Sequence, residues 1–169
     1  MSRPPSSAHV LRMVHRPMRL PDLPEALSLL PAQVSTDPAE RAAIAAQWPA
    51  LLEQQPALQS GVMEDLARPT GQRILGWGVS VLLSPAQACA LQLDGEPAAF
   101  VARRVYGELR SGRLRLMDDR DLGRCNAAGE VIGLVLHFTL PRIDLADPQV
   151  HKIVACAQES FRMHHTGFH

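Results

Sequence analysis

Lysine is almost missing from this chain of 169 residues: sixteen of its seventeen basic residues are arginine, and Lys152 stands alone. Alanine and proline are abundant too, so the skew is read as GC-rich coding bias rather than as a choice of the guanidinium fork. Aromatic residues are scarce at 4%, with one tyrosine, Tyr106. Cys89, Cys125 and Cys156 are the only cysteines, odd in number and without a C-x-x-C pair. That disfavours a secreted disulfide framework and suits a reducing compartment. An excess of one charge is missing as well, because 17 basic and 17 acidic residues cancel. Neutrality argues against the basic footprint of a nucleic-acid-binding domain and against a polybasic membrane-surface protein. Long apolar runs are also lacking. The stretch Ile74 to Leu83 is about half the roughly 20 residues a membrane helix needs. No apolar stretch of signal-peptide length follows the opening Met-Ser-Arg-Pro-Pro-Ser-Ser. A cytoplasmic location with no membrane partner is therefore expected.

What is present is enough for one packed domain, with 46% hydrophobic and 20% charged residues. Residues 1–7 read as a disordered N-terminus and residues 8–169 as the domain. His9 to His15 alternates as a first strand, with Val10, Arg12 and Val14 on one side. Asp22 is placed to cap a short helix ending before Pro31. Ser35-Thr36-Asp37-Pro38 opens a second helix carrying Ile44, Trp48, Leu51 and Leu52, which Pro49 is expected to kink or divide. Leu58 to Leu66 and Arg73 to Leu83 flank the breakers Ala67 to Gly71 and predict an antiparallel hairpin. Gly76 and Gly78 beside Trp77 predict a close backbone approach or a bulge. Ser84-Pro85 caps a helix to Leu93, and a second runs from Glu96 to Leu109. The polar stretch Ser111 to Gly129 reads as a long surface loop. Val131 to Leu140 reads as a central strand covered on both faces. Val150, Ile153, Val154, Ala157 and Phe161 mark a last amphipathic helix behind Asp147.

Strand, two helices, hairpin, strand, helix is an order that resembles the GNAT (acetyltransferase) superfamily. The run Arg19-Leu20-Pro21-Asp22-Leu23-Pro24-Glu25-Ala26 is similar to that family's R-x-x-D-l-p-a opening of the first helix. Ile74 to Val81, with Gly76-Trp77-Gly78, looks like its v-v-G-f-g strand. The resemblance implies an α+β fold with a mixed, mostly antiparallel sheet flanked by helices. Residues 84–129 would be an enlarged helical insertion, and the C-terminal part would be incomplete. The family's acyl-CoA site is a glycine-rich loop after the central strand, whose backbone N–H groups cradle the pyrophosphate. Here that connection reads Pro141-Arg142-Ile143-Asp144-Leu145-Ala146-Asp147-Pro148-Gln149, with no glycine and with two carboxylates. Arg142 is its one anion-friendly side chain, and Asp144 and Asp147 would repel a diphosphate.

Phe161, His165, Gly167 and Phe168, together with the strands around Trp77 and His137, resemble a bacterial group. In it, a GNAT-like N-terminal domain precedes a LuxR-type helix-turn-helix. This resemblance implies a non-catalytic sensory or interaction domain of a transcription regulator, with DNA binding expected beyond residue 169. No nucleic acid would bind through this domain, no cofactor is expected, and a small-molecule or acyl ligand and a homodimer are the partners it allows. The alternatives are an N-acetyltransferase using acetyl-CoA along Leu136, Phe138, Leu140 and Arg142, and a stand-alone dimerisation module with an open hairpin edge.

If the domain is catalytic, His137 and Glu64, on a facing hairpin strand, are the candidate bases. His137 between Leu136 and Phe138 otherwise reads as a hydrogen-bonded core residue, and Tyr106 as packing. His164, His165 and His169 lack nearby cysteine or carboxylate partners, so no metal site is expected. Cys125 beside Arg124 in a polar stretch is a candidate reactive thiol, whereas Cys89 and Cys156 read as core. Arg103, Arg104, Arg110, Arg113 and Arg115 form the one locally basic stretch, read as a solvated, internally paired surface.

Overall fold

The computed structural model of the chain describes residues 12–32, 34–54, 57–93, 95–143, 151 and 155. Strand β1 (Met13–Pro17) ends on its proline. The beginning of the expected first strand, up to Leu11, lies outside the described residues. A 3-10 turn at Leu20–Asp22 runs straight into α1 (Leu23–Ser28). Asp22 was expected to cap α1, but its carboxylate turns back and accepts from the Arg19 amide at 2.7 Å. Asp37 does cap α2 (Pro38–Leu52), accepting from the Ala39 amide at 3.0 Å. Pro49 neither kinks α2 into two helices nor divides it, for the helix is continuous to Leu52. The proline sits in the last turn on the exposed side, where one missing N–H disturbs little.

The breakers at 67–71 place the hairpin of β2 (Leu58–Asp65) and β3 (Ile74–Leu83) within a residue of the expected ends. Ser84 and Gln87 form a reciprocal cap at the start of α3 (Pro85–Leu91), and α4 (Ala98–Arg110) follows. The expected loop Ser111 to Gly129 instead contains α5 (Asp119–Ala127). Asp118 accepts from the Asp121 amide at 2.8 Å, so the acidic series is a cap and first turn rather than a solvated run. Leu122 and Cys125, three apart, are its buried side. Cys125 is therefore not a loop thiol: it packs with Leu82, Met117, Leu122 and Val131. Cys89, expected in the core, is exposed, because the only residue that α3 buries is Leu91. Cys156 lies outside the described residues.

Strand β4 (Ile132–Thr139) completes an antiparallel sheet in the order β1-β2-β3-β4. Among the described residues it is an edge strand rather than the expected central one. It pairs there with β3 alone, and Ile132, Val135 and Phe138 are exposed. An apolar run cannot distinguish a strand covered on both faces from an edge strand whose apolar side chains face outward. The α+β class and the antiparallel sheet agree with expectation.

Side chains alternate across the sheet, and the two faces are covered differently. Leu58, Val62, Trp77, Val79, Val81 and Leu83 face α1, α2 and α4 and join Ala26, Ile44, Trp48 and Tyr106 in the main core. On the other face, Leu82 packs with α5 at one end, and Met63 and Leu75 pack with Leu140 at the other. Between these ends the strands carry Gly61, Gly76 and Gly78. A Cβ at Gly76 would collide with the Thr139 carbonyl oxygen, so the expected close approach is real. The helix expected from Pro148 lies outside the described residues, except that His151 and Ala155 are helical. Among the described residues, no helix is long and apolar enough to cross a membrane.

Candidate functional site

The chemistry-bearing side chains lie along β4 and at the turn end of the β2–β3 hairpin. A register shift between Val79 and Ser80 leaves Leu136 as an extra residue on β4, so Leu136 and His137 are both buried in succession. His137 stands edge-on to Trp77 at 4.4 Å between ring centroids, and Trp48 meets Trp77 edge-on at 5.2 Å. The Tyr106 hydroxyl lies 3.3 Å from His137 Nε2. None of the four side chains is more than 5% exposed.

Burial pushes the His137 pKa down to about 4 and the Tyr106 hydroxyl well above its usual value. Both groups are thus neutral near pH 7. His137 Nδ1, the two indole Nε1 atoms and Ser60 Oγ are buried without a hydrogen-bond partner among the described residues. A base must come within hydrogen-bond reach of its substrate. This imidazole reaches Tyr106 and the interior instead.

Glu64 is not its neighbour. The rung through His137 runs from Val79 to Ser60, and Glu64 lies four residues further along β2, about 13 Å away along the strand. Its Oε2 accepts from Arg16 Nε at 2.8 Å. Arg16 in turn forks onto Asp22 with Nη1–Oδ2 at 2.6 Å and Nη2–Oδ1 at 2.8 Å. The Arg16 hydrogen bond, followed by the Arg19 amide, holds the Asp22 carboxyl below its usual range against the effect of burial. The hydrogen bond to Asp22 first, and then that to Glu64, raise the Arg16 pKa against the effect of burial. This triad ties β1 and β2 to the turn before α1.

Arg142 is also engaged. Its Nη1 donates to Glu25 Oε1 and, at 3.0 Å, to the Ile74 carbonyl. Glu25 Oε1 accepts from the Ile74 amide as well, at 3.0 Å. The Arg142 amide donates to the Leu75 carbonyl at 3.2 Å. The guanidinium that was singled out for a phosphate therefore pins the chain after β4 to α1 and β3. Leu136 faces the main core, Phe138 lies over Gly78, and Leu140 packs with Met63 and Leu75. These four side chains do not converge on one surface. Asp144 and Asp147, and His164, His165 and His169, lie outside the described residues. Among the described residues, no three His, Cys, Asp or Glu side chains group closely enough to hold a metal ion.

Sequence reasoning missed the Tyr106–His137 pair, the Arg16 triad and the Arg142–Glu25 tie. Only the separation of six between Arg16 and Asp22 was short enough to suggest a pairing. The expected internal pairing of the basic stretch holds only in part, since among the described residues Arg110 and Arg115 have no ion-pair partner. Arg103 Nε lies 3.7 Å from Glu40, while Arg104 and Arg113 share Glu108. Compared with models of protein families, with curated proteins and with solved structures, the chain matches none.

Proposed function

We propose that this domain works by interaction rather than catalysis. In this reading it is the GNAT-like sensory or interaction part of a bacterial transcription regulator, with DNA binding supplied outside it. The carrying observation is a contrast at β4. Its edge pairs with nothing among the described residues and exposes Ile132, Val135 and Phe138 at 40–48%. The groups that would do acyl-transfer chemistry, by contrast, are spent on internal partners: His137 on Tyr106, Glu64 on Arg16 and Arg142 on Glu25. The order strand, two helices, hairpin, then a fourth antiparallel strand after the helical stretch α3 to α5, supports the architectural part of the reading.

A free antiparallel edge is self-complementary about a twofold axis, so a second copy is the partner to test. From Val131 to Leu140 the strand carries no Lys, Arg, Asp, Glu or Pro to block pairing. The second reading, an N-acetyltransferase with an atypical acetyl-CoA site, is favoured by that same edge. Its backbone groups from Leu136 to Leu140, whose outer edge has no strand partner among the described residues, are where the family resemblance would put the cofactor.

Calorimetric titration with acetyl-CoA separates the two. No micromolar binding is expected, whereas micromolar binding that Arg115→Gln leaves intact would overturn the non-catalytic reading. Sedimentation across a concentration series is expected to show a dimer that Val135→Lys returns to monomer. A clean monomer at every concentration removes the second copy as partner.

A further inference from the structure

Helix α3, the second half of α4 and residues 112–115 border an open cleft of about 590 Å³. Arg104, Arg113 and Arg115 line it, and Glu108 is the only carboxylate among its lining residues. Three guanidiniums against one carboxylate leave a formal excess of two positive charges, in a chain whose charges cancel overall. The C-termini of α3 and α4 also end beside the cleft, each worth roughly half a negative charge. Set against the excess in full, they still leave about one positive charge.

The pairing within the cleft is uneven. Glu108 accepts from Arg113 at 2.6 and 3.0 Å and lies 3.4 Å from Arg104 Nε. Those contacts, the Arg113 hydrogen bond first, hold its carboxyl below the usual range. No ion pair or side-chain hydrogen bond engages the Arg115 guanidinium among the described residues. That residue's one hydrogen bond of this kind is through its carbonyl, which accepts from Gln87 Nε2 at 2.6 Å. Leu91 and Leu114 give the cleft an apolar wall. A planar fork without a partner, beside an apolar wall, matches a carboxylate or phosphate carried on an apolar body.

We infer that this cleft binds a small organic anion. Arg115 is the fork that engages it, and Glu108 is the internal competitor for Arg104 and Arg113. The site shares no residue with the β4 edge and does not depend on the interaction reading.

The test titrates the full chain with inorganic phosphate and with hexanoate at constant ionic strength, read by amide and arginine Nε–H chemical shifts. Saturable shifts are expected at Gly112 and Arg115, with hexanoate tighter than phosphate. Arg115→Gln is expected to weaken binding about tenfold or more, the scale of a lost charge-assisted bond. Glu108→Gln is expected to tighten it, an outcome that a merely structural role for Glu108 would not produce. Arg115 is exposed, so its variant should melt with the parent. Shifts that never saturate, that appear equally at Arg110 and Arg120, or that survive Arg115→Gln would overturn the site. Equal affinity for phosphate and hexanoate would overturn the organic half of the assignment. Acetyl-CoA is itself an organic anion, so binding of it that survives Arg115→Gln reports on Leu136 to Leu140 and binding lost in that variant reports on the cleft; the two proposals fail separately.

Discussion

On the helix-covered face of the sheet, Trp48, Trp77, Tyr106 and His137 fill the interior with rings packed edge to face. On the opposite face, between its two small apolar clusters, glycines let neighbouring chain lie directly on the strands. Phe138 covers Gly78, and the chain at Thr139 and Leu140 crosses Gly76. One face is held by large buried area, which is sensitive to lost volume. The other is held by close approach, which is sensitive to added volume.

The largest effect should come from emptying the first face. Trp77→Ala removes a fully buried indole that touches both Trp48 and His137, and a loss of about 3–5 kcal/mol is expected in urea unfolding. A loss under 1 kcal/mol would mean that the ring cluster is not what holds this face.

Next comes acid. His137 is neutral when folded, with its pKa at about 4, and has an ordinary value of 6.5 when unfolded. Between these values the unfolded chain binds the extra proton, so stability is full above pH 6.5 and falls as the pH drops toward 4. The total is roughly 3 kcal/mol. Asp22, held low by Arg16, adds a loss in the same direction at lower pH. Melting profiles of His137→Gln should be flatter than the parent's between pH 6.5 and 4. An unchanged slope would show that the imidazole does not titrate as buried.

The smallest of the three effects tests the second face. Gly76→Ala places a methyl against the Thr139 carbonyl and Leu140, and about 1–3 kcal/mol of destabilisation is expected from the forced backbone shift. The same substitution at Gly107, where nothing lies within 4 Å of an added Cβ, is the control and should not destabilise α4. If the two glycines responded alike, the contrast between the faces would collapse.

Legibility in the sequence followed the range of the interactions. The hairpin ends were readable because breakers and apolar runs sit next to each other in the chain, as do the caps at Asp37 and Ser84. Helix α5 was missed because its apolar side is just Leu122 and Cys125, too short a pattern to outweigh three aspartates. The aspartates themselves were the signal, since Asp118 is a cap and Asp119 and Asp121 occupy the first turn. At the candidate site, the apolar neighbours Leu136 and Phe138 mark His137 as a core residue that needs a hydrogen-bond partner, and it has one. Its partner, Tyr106, lies 31 residues away, and nothing local names it.

By itself, the sequence determined the α+β class, most of the elements and a neutral chain, because caps, breakers and alternation act between near neighbours. Only the tertiary structure decided that β4 ends the described sheet, that Glu64 answers Arg16 rather than His137, and that Arg142 reaches Glu25 across 117 residues. Such contacts form when separate elements pack together, and a side chain's partner is then set by the face and rung it lands on.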